Sequence, residues 1–195
     1  MTTKFITVAN RKGGVAKTTS SVYIATILSN LGHKVLLKDS DPQASATEWL
    51  EDLESLPFDY EITNQRSMGK ATGYDYVVID TPPQNPDIIN AAIKVADLVI
   101  IPTEASSIEL SGAYALFDAM KPGALCRVLL TRVNTITNSF KHVKAALDAE
   151  QIPRFEMHIS KNEAIKNSFR KIPNHPKELK EYETLVEELL NLIHA

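Results

Sequence analysis

Apolar residues in this chain fall into short, β-rich runs separated by longer stretches with helical spacing. The runs at 4–10 ("KFITVAN"), 33–39 ("HKVLLKD"), 74–80 ("YDYVVID"), 97–103 ("DLVIIPT") and 125–133 ("LCRVLLTRV") predict strands. Weaker strand patterns lie at 58–63 ("FDYEIT") and 154–160 ("RFEMHIS"). Several runs have nearly continuous apolar centres, as expected of a parallel sheet covered on both faces. Helical spacing occupies 18–32, where Gly32 supplies a stop, then 44–56, 86–96, 107–120, 138–150 and about 176–195. Strand and helix alternate throughout, which predicts an α/β fold: a doubly wound, mostly parallel sheet flanked by helices. Right-handed crossovers then gather the strand-to-helix loops on one edge, where ligands bind in such sheets. No internal repeat or low-complexity linker interrupts the pattern, so residues 1–195 are expected to form one domain.

Composition narrows the function classes. A formal charge of -3 over 195 residues gives no global attraction to nucleic acid, so any basic surface must be local. The lone Cys126 excludes a disulfide framework or a multi-cysteine metal site within one chain. No apolar run approaches the ~20 residues that cross a bilayer. The N-terminus enters a strand without signal-peptide architecture, which predicts a cytoplasmic protein.

The candidate chemistry begins at "NRKGGVAKTTSS". It follows a strand and opens a helix, the context of a phosphate-binding loop. The general pattern G-x-x-x-x-G-K-[ST] is not met, because Arg11 and Ala16 stand where glycines belong. Gly13 and Gly14 nevertheless let backbone N–H groups approach phosphate, and the helix N-terminus favours the anion. Lys17 would reach the β- and γ-phosphates, and the Thr18 hydroxyl would bind Mg²⁺. Asp80 ends an apolar strand in "VVIDTPP", placed to meet the water shell of a phosphate-bound Mg²⁺ or to form a turn. Asp39 and Asp41 in "DSDPQAS" share one side of an extended segment. They could hold Mg²⁺ and polarise water, or cap the helix expected near Pro42.

In order and spacing, "KGGVAKTT", "DSDPQAS" and "VVIDTPP" resemble the deviant Walker A family of ParA-type partition and MinD-type division-site ATPases. The family pattern K-G-G-x-x-K-[ST] is satisfied by Lys12 through Thr18. The resemblance implies a P-loop NTPase-like fold and nucleotide contacts from Lys12, Gly13, Gly14, Val15, Ala16, Lys17, Thr18 and Thr19. It implies ATP and Mg²⁺ as cofactors, with Thr18, Asp39 and Asp80 at the metal, and an ATP-dependent homodimer in which Lys12 reaches the partner's phosphates. Lys12, Lys17 and Asp41 are the catalytic candidates, Asp41 positioning the attacking water. Family members usually carry Gly where Ala16 stands, so the consequence rests on whether that backbone takes positive φ. Arg132, just past a strand, is a candidate neighbour of the base or a solvated arginine.

The segments nearer the C-terminus bear on cargo. Leu179, Tyr182, Leu185, Val186, Leu189 and Ile193 form one apolar helix face, and the polar face is mainly glutamate. A membrane-surface helix wants lysine and arginine there, so this helix is expected to dock on the sheet, with no membrane anchoring. Before it, Lys161, Lys166, Arg170 and Lys171 make a local basic patch. Such a patch is either a solvated face or a footprint for phosphate backbone. ParA-like proteins bind DNA non-specifically in this part of the chain, which implies nucleoid association. The start at the first strand resembles the short plasmid type without a helix-turn-helix extension. The resemblance therefore implies partition of plasmid or chromosomal DNA with a ParB-like centromere-binding protein. Positioning of a protein cargo is the alternative within the family. An ATP-dependent small-molecule synthetase on the same scaffold is the alternative outside it.

Overall fold

The computed structural model describes residues 2–105, 113–117, 120 and 124–195. Six strands form one sheet: β1 (Lys4–Val8), β2 (Val35–Asp39), β3 (Asp59–Ile62), β4 (Tyr76–Asp80), β5 (Leu98–Glu104) and β6 (Cys126–Thr131). Their order is β3-β2-β4-β1-β5-β6, and every pairing is parallel. The helices are α1 (Lys17–Asn30), α2 (Ser45–Leu50), α3 (Pro86–Val95), α4 (Asn138–Ala149), α5 (Glu163–Lys166) and α6 (Pro176–His194). Of the helix expected over 107–120, residues 113–117 are helical, and 107–112 and 118–119 lie outside the described residues.

The continuous apolar runs are explained by cover on both sides. Ile6, Val8, Tyr76 and Val78 face a core shared with α1 and α6, whereas Val77 and Ile79 face a second core. Alternate residues of one strand therefore bury on opposite faces. α1 is buried nearly all round because it lies between the sheet and α6. Tyr23 of α1 stacks on Tyr182 of α6 with ring centroids 4.5 Å apart, and the Tyr182 hydroxyl lies 3.1 Å from Ser20 Oγ. The expected apolar face of α6 is buried at Leu179, Tyr182, Leu185, Val186 and Leu189, with Ile193 packed at its margin. Among the described residues no helix is long and apolar enough to cross a membrane.

Two elements differ from expectation. Residues 154–160 join the sheet edge only through isolated bridges, Val128 with Arg154 and Val133 with Ser160. Met157 N–H, which a continuous ladder would direct to Leu130 O, turns to Glu188 Oε2 at 3.2 Å, and Ile159 N–H takes Leu130 O at 2.9 Å instead, so the intervening segment is not a continuous strand. The helix expected over 44–56 is limited to Ser45–Leu50. Its start is delayed because Ala44 takes a left-handed conformation, φ 53°.

Candidate functional site

Three neighbouring strands end together. Val8 of β1 lies in register with Asp80 of β4, and Asp80 with Asp39 of β2. The glycine loop leaves β1 beside these two strand-end carboxylates. Asn10 fixes the loop's first turn: its Nδ2 donates to Pro102 O at 2.8 Å, and its Oδ1 accepts from Lys12 N at 2.9 Å. Gln84 N also donates to Arg11 O at 3.0 Å. Gly14 (φ 79°) and Ala16 (φ 67°) are both left-handed. α1 follows at once with no side-chain cap, so its first N–H groups are available to an anion.

Ala16 therefore occupies the backbone conformation that favours glycine. A left-handed non-glycine residue costs ~1–2 kcal/mol. Glycine in turn loses ~0.4–1 kcal/mol more entropy on folding. Ala16→Gly is expected to gain roughly 0.5–1 kcal/mol, or about 1–4 °C in Tm by calorimetry. A lower Tm would contradict it.

The three chemical groups converge behind the loop. Lys17 is only 7% exposed, and its Nζ donates to Lys12 O at 2.8 Å. Burial lowers the Lys17 pKa, and the charges of Asp80 and Asp41 oppose that shift. Asp80 is fully buried; its Oδ2 accepts from Thr18 Oγ1 at 2.7 Å and its Oδ1 from Ser21 Oγ at 3.0 Å. Burial pushes the Asp80 pKa up to about 7; the Thr18 hydrogen bond opposes this and the charge of Asp39 adds to it. A carboxylate so placed is short of positive charge. Asp39 Oδ1 accepts from Asp41 N at 3.0 Å, and its Oδ2 accepts from Thr47 N at 2.8 Å and Thr47 Oγ1 at 2.9 Å. Asp41 Oδ1 accepts from Gln43 N at 2.9 Å. Asp39 thus caps α2 from a distance, while Asp41 orders the turn before it.

This donor set fits Mg²⁺. Thr18, Asp80 and Asp39 offer only hard oxygens, and Mg²⁺ commonly keeps several waters while bridging phosphates. Among the described residues no three or more His, Cys, Asp or Glu gather into a protein-only metal cage.

A cavity of about 340 Å³ adjoins the loop, with Ala16, Thr19, Thr131, Arg132, Ile159 and Tyr182 in its wall. Arg132 Nη1 lies 2.7 Å from Glu104 Oε1, so this arginine is both a cavity wall and an ion-pair partner. Lys161 and Lys166 line the same cavity. Arg170 instead faces α2 and its exit, 3.5 Å from Glu48 and 3.6 Å from Asp52. Lys171 accepts Trp49 Nε1 on its carbonyl at 2.9 Å. The four basic candidates are therefore divided between the nucleotide side and the α2 side.

Sequence reasoning missed Ser21 and Thr47. Ser21 lies three positions beyond Thr18, within helical reach of the same partner, but it sits in a run of polar residues from Lys17 to Ser21 that gave no reason to single it out. Thr47 carried no signal either.

A parallel sheet whose central strand feeds a glycine loop, with a buried lysine and a threonine bonded to a strand-end aspartate, defines a phosphate-loop nucleotide-binding protein. The AAA domain family matches residues 3–67 and 59–123. The maintenance of carboxysome distribution protein A of Gloeobacter kilaueensis is 36% identical over 165 residues, 80% of this chain and 76% of that protein. The chromosome-partitioning ATPase Soj of Thermus thermophilus is 32% identical over 151 residues; the match covers 60% of this chain and 61% of that relative. A plasmid partition protein from Borrelia burgdorferi bound to AMPPNP superposes with a TM-score of 0.75 at 23% identity, covering 97% of this chain and 99% of that one. The chain belongs to the ParA/MinD-type ATPases.

Proposed function

We propose that residues 1–195 act as one ATP-driven switch that dimerises on ATP, binds DNA non-specifically and segregates plasmid or chromosomal DNA. The observation that carries this reading is the Thr18 hydroxyl on Asp80 at 2.7 Å with the Lys17 ammonium buried alongside. Lys17 would hold the β- and γ-phosphates of its own subunit, with backbone N–H groups from Gly13 through Thr19 around them. Thr18 would ligate Mg²⁺, and Asp80 and Asp39 would hold its waters. Bound Mg²⁺ would neutralise charge building on the phosphates. Asp41, 9% exposed and restrained by Gln43, would orient the attacking water. Lys12 would face the partner subunit's nucleotide. The apolar walls of Ile159 and Tyr182 suit the adenine base.

The ATP-bound dimer would reside in the cytoplasm on nucleoid DNA until a ParB-like centromere-binding protein stimulated hydrolysis. The relative at 36% identity supports a second reading, in which the same cycle positions a protein assembly. DNA binding is common to both; the stimulating partner separates them.

The DNA reading is tested by fluorescence anisotropy at several salt concentrations with ATP and Mg²⁺. Binding should be far weaker without ATP and should fall steeply with salt as counterions are released. Arg170→Gln with Lys171→Gln should weaken binding and reduce the salt slope by roughly 2. Lys161 and Lys166 are left intact because they line the nucleotide-side cavity. An unchanged slope would place the DNA surface elsewhere.

A further inference from the structure

The segment around Arg170 is fastened to α2 by contacts that the nucleotide chemistry does not need. Trp49 Nε1 donates to Lys171 O at 2.9 Å, and the Phe169 ring packs edge-on against Trp49 at 5.5 Å. The Arg170 guanidinium reaches Glu48 at 3.5 Å and Asp52 at 3.6 Å while lying 5.7 Å over the Phe169 ring. Arg170 does this from a left-handed backbone, φ 59°, which a non-glycine residue adopts only when its surroundings select it. The other end of α2 belongs to the nucleotide site: Asp39 Oδ2 holds Thr47, the residue before Glu48. The two attachments sit on consecutive residues, Thr47 and Glu48, of a helix of only six residues, Ser45–Leu50.

We propose that α2 is a gate on the basic segment. Glu48 and Asp52 occupy Arg170 while Asp39 holds Thr47, and nucleotide binding at the Asp39 end shifts α2 and releases the Arg170 guanidinium to DNA phosphate beside the exposed Lys171. The inference rests on the DNA-binding reading above and adds its regulation. A guanidinium shared by two carboxylates is not free to grip a phosphate through the same fork of donors. Both pairs are long and about half exposed, so they exchange readily, as a switch requires and a scaffold does not. Asp39 Oδ2 already accepts two hydrogen bonds, so drawing its charge toward a nucleotide-bound cation weakens its hold on the start of α2.

The full chain carrying Glu48→Gln and Asp52→Asn is measured against a labelled duplex by anisotropy, without nucleotide and with a slowly hydrolysed ATP analogue. These side chains are exposed, so the variant is expected to fold, and its ATP affinity should match the parent's. DNA affinity without nucleotide should rise roughly three- to tenfold, while affinity with the analogue changes little. Glu51→Gln with Glu54→Gln removes the same charge from the same exposed stretch without touching Arg170. That control should shift both conditions alike, through the general field alone. If the gate variant shifts both conditions equally, or behaves as the control does, the gate is overturned and the DNA reading stands. If the parent chain binds no DNA in either condition, the DNA reading falls and the gate with it.

Discussion

Lys17→Ala is expected to bind ATP at least roughly 100-fold more weakly than the parent chain, from charge-assisted hydrogen bonds at about 1.5–3 kcal/mol each. The side chain lies buried behind the loop, and its ammonium is held by Lys12 O at 2.8 Å with the charges of Asp80 and Asp41 nearby. The backbone N–H groups survive the substitution but supply only partial charges, which do not replace the full positive charge of an ammonium at the β- and γ-phosphates. Folding should survive as well, because the cost of desolvating the buried ammonium offsets the loss of its bond to Lys12 O and of its charge beside Asp80. Calorimetric titration with ATP and Mg²⁺ reads the affinity, and thermal melting confirms the fold. Parent-like affinity would remove Lys17 from the phosphates and the loop from the nucleotide site.

The loop, its two lysines and the strand-end aspartates were legible because each depends on a few adjacent residues. "KGGVAKTT" fixes a turn and a helix start, and "VVIDTPP" a buried strand with an acid at its end. The sheet was legible for the same reason: its strands are apolar through their centres, and α6 shows one apolar face. Residues 154–160 were harder because alternation resembles pairing. The ladder is interrupted where Glu188, more than thirty residues away, takes the Met157 N–H. The positive φ of Ala16 was hidden because alanine carries no turn signal; the missing glycine showed only by comparison with the phosphate-loop and family patterns. The division of the basic patch was also invisible. Arg170 meets Glu48 across 122 positions, and charge counts along a segment say nothing about such distant partners.

Lys12→Ala should still bind ATP but fail to assemble with it. The backbone of Lys12 does local work: its N–H donates to Asn10 Oδ1 at 2.9 Å, and its carbonyl accepts the Lys17 ammonium at 2.8 Å. Alanine keeps both bonds, so the loop and Lys17 stay in place and nucleotide capture falls only modestly. What is lost is the charge of an exposed side chain at the mouth of the loop. In a sandwich dimer two ATP molecules would face each other, and a lysine from each subunit would offset the resulting negative charge. A two-fold interface contains the residue twice. At about 2 kcal/mol or more for each lost charge contact, the dimer should weaken by roughly a thousandfold. Light scattering after size exclusion, with a slowly hydrolysed ATP analogue and Mg²⁺, measures this directly. The gain in DNA affinity that ATP brings and the partner-stimulated hydrolysis should disappear together with the dimer, because both would require it. A monomeric synthetase on the same scaffold would lose little, since its chemistry needs no lysine from a second subunit. An ATP-dependent dimer of parent strength in Lys12→Ala would therefore refute the sandwich and favour the small-molecule reading.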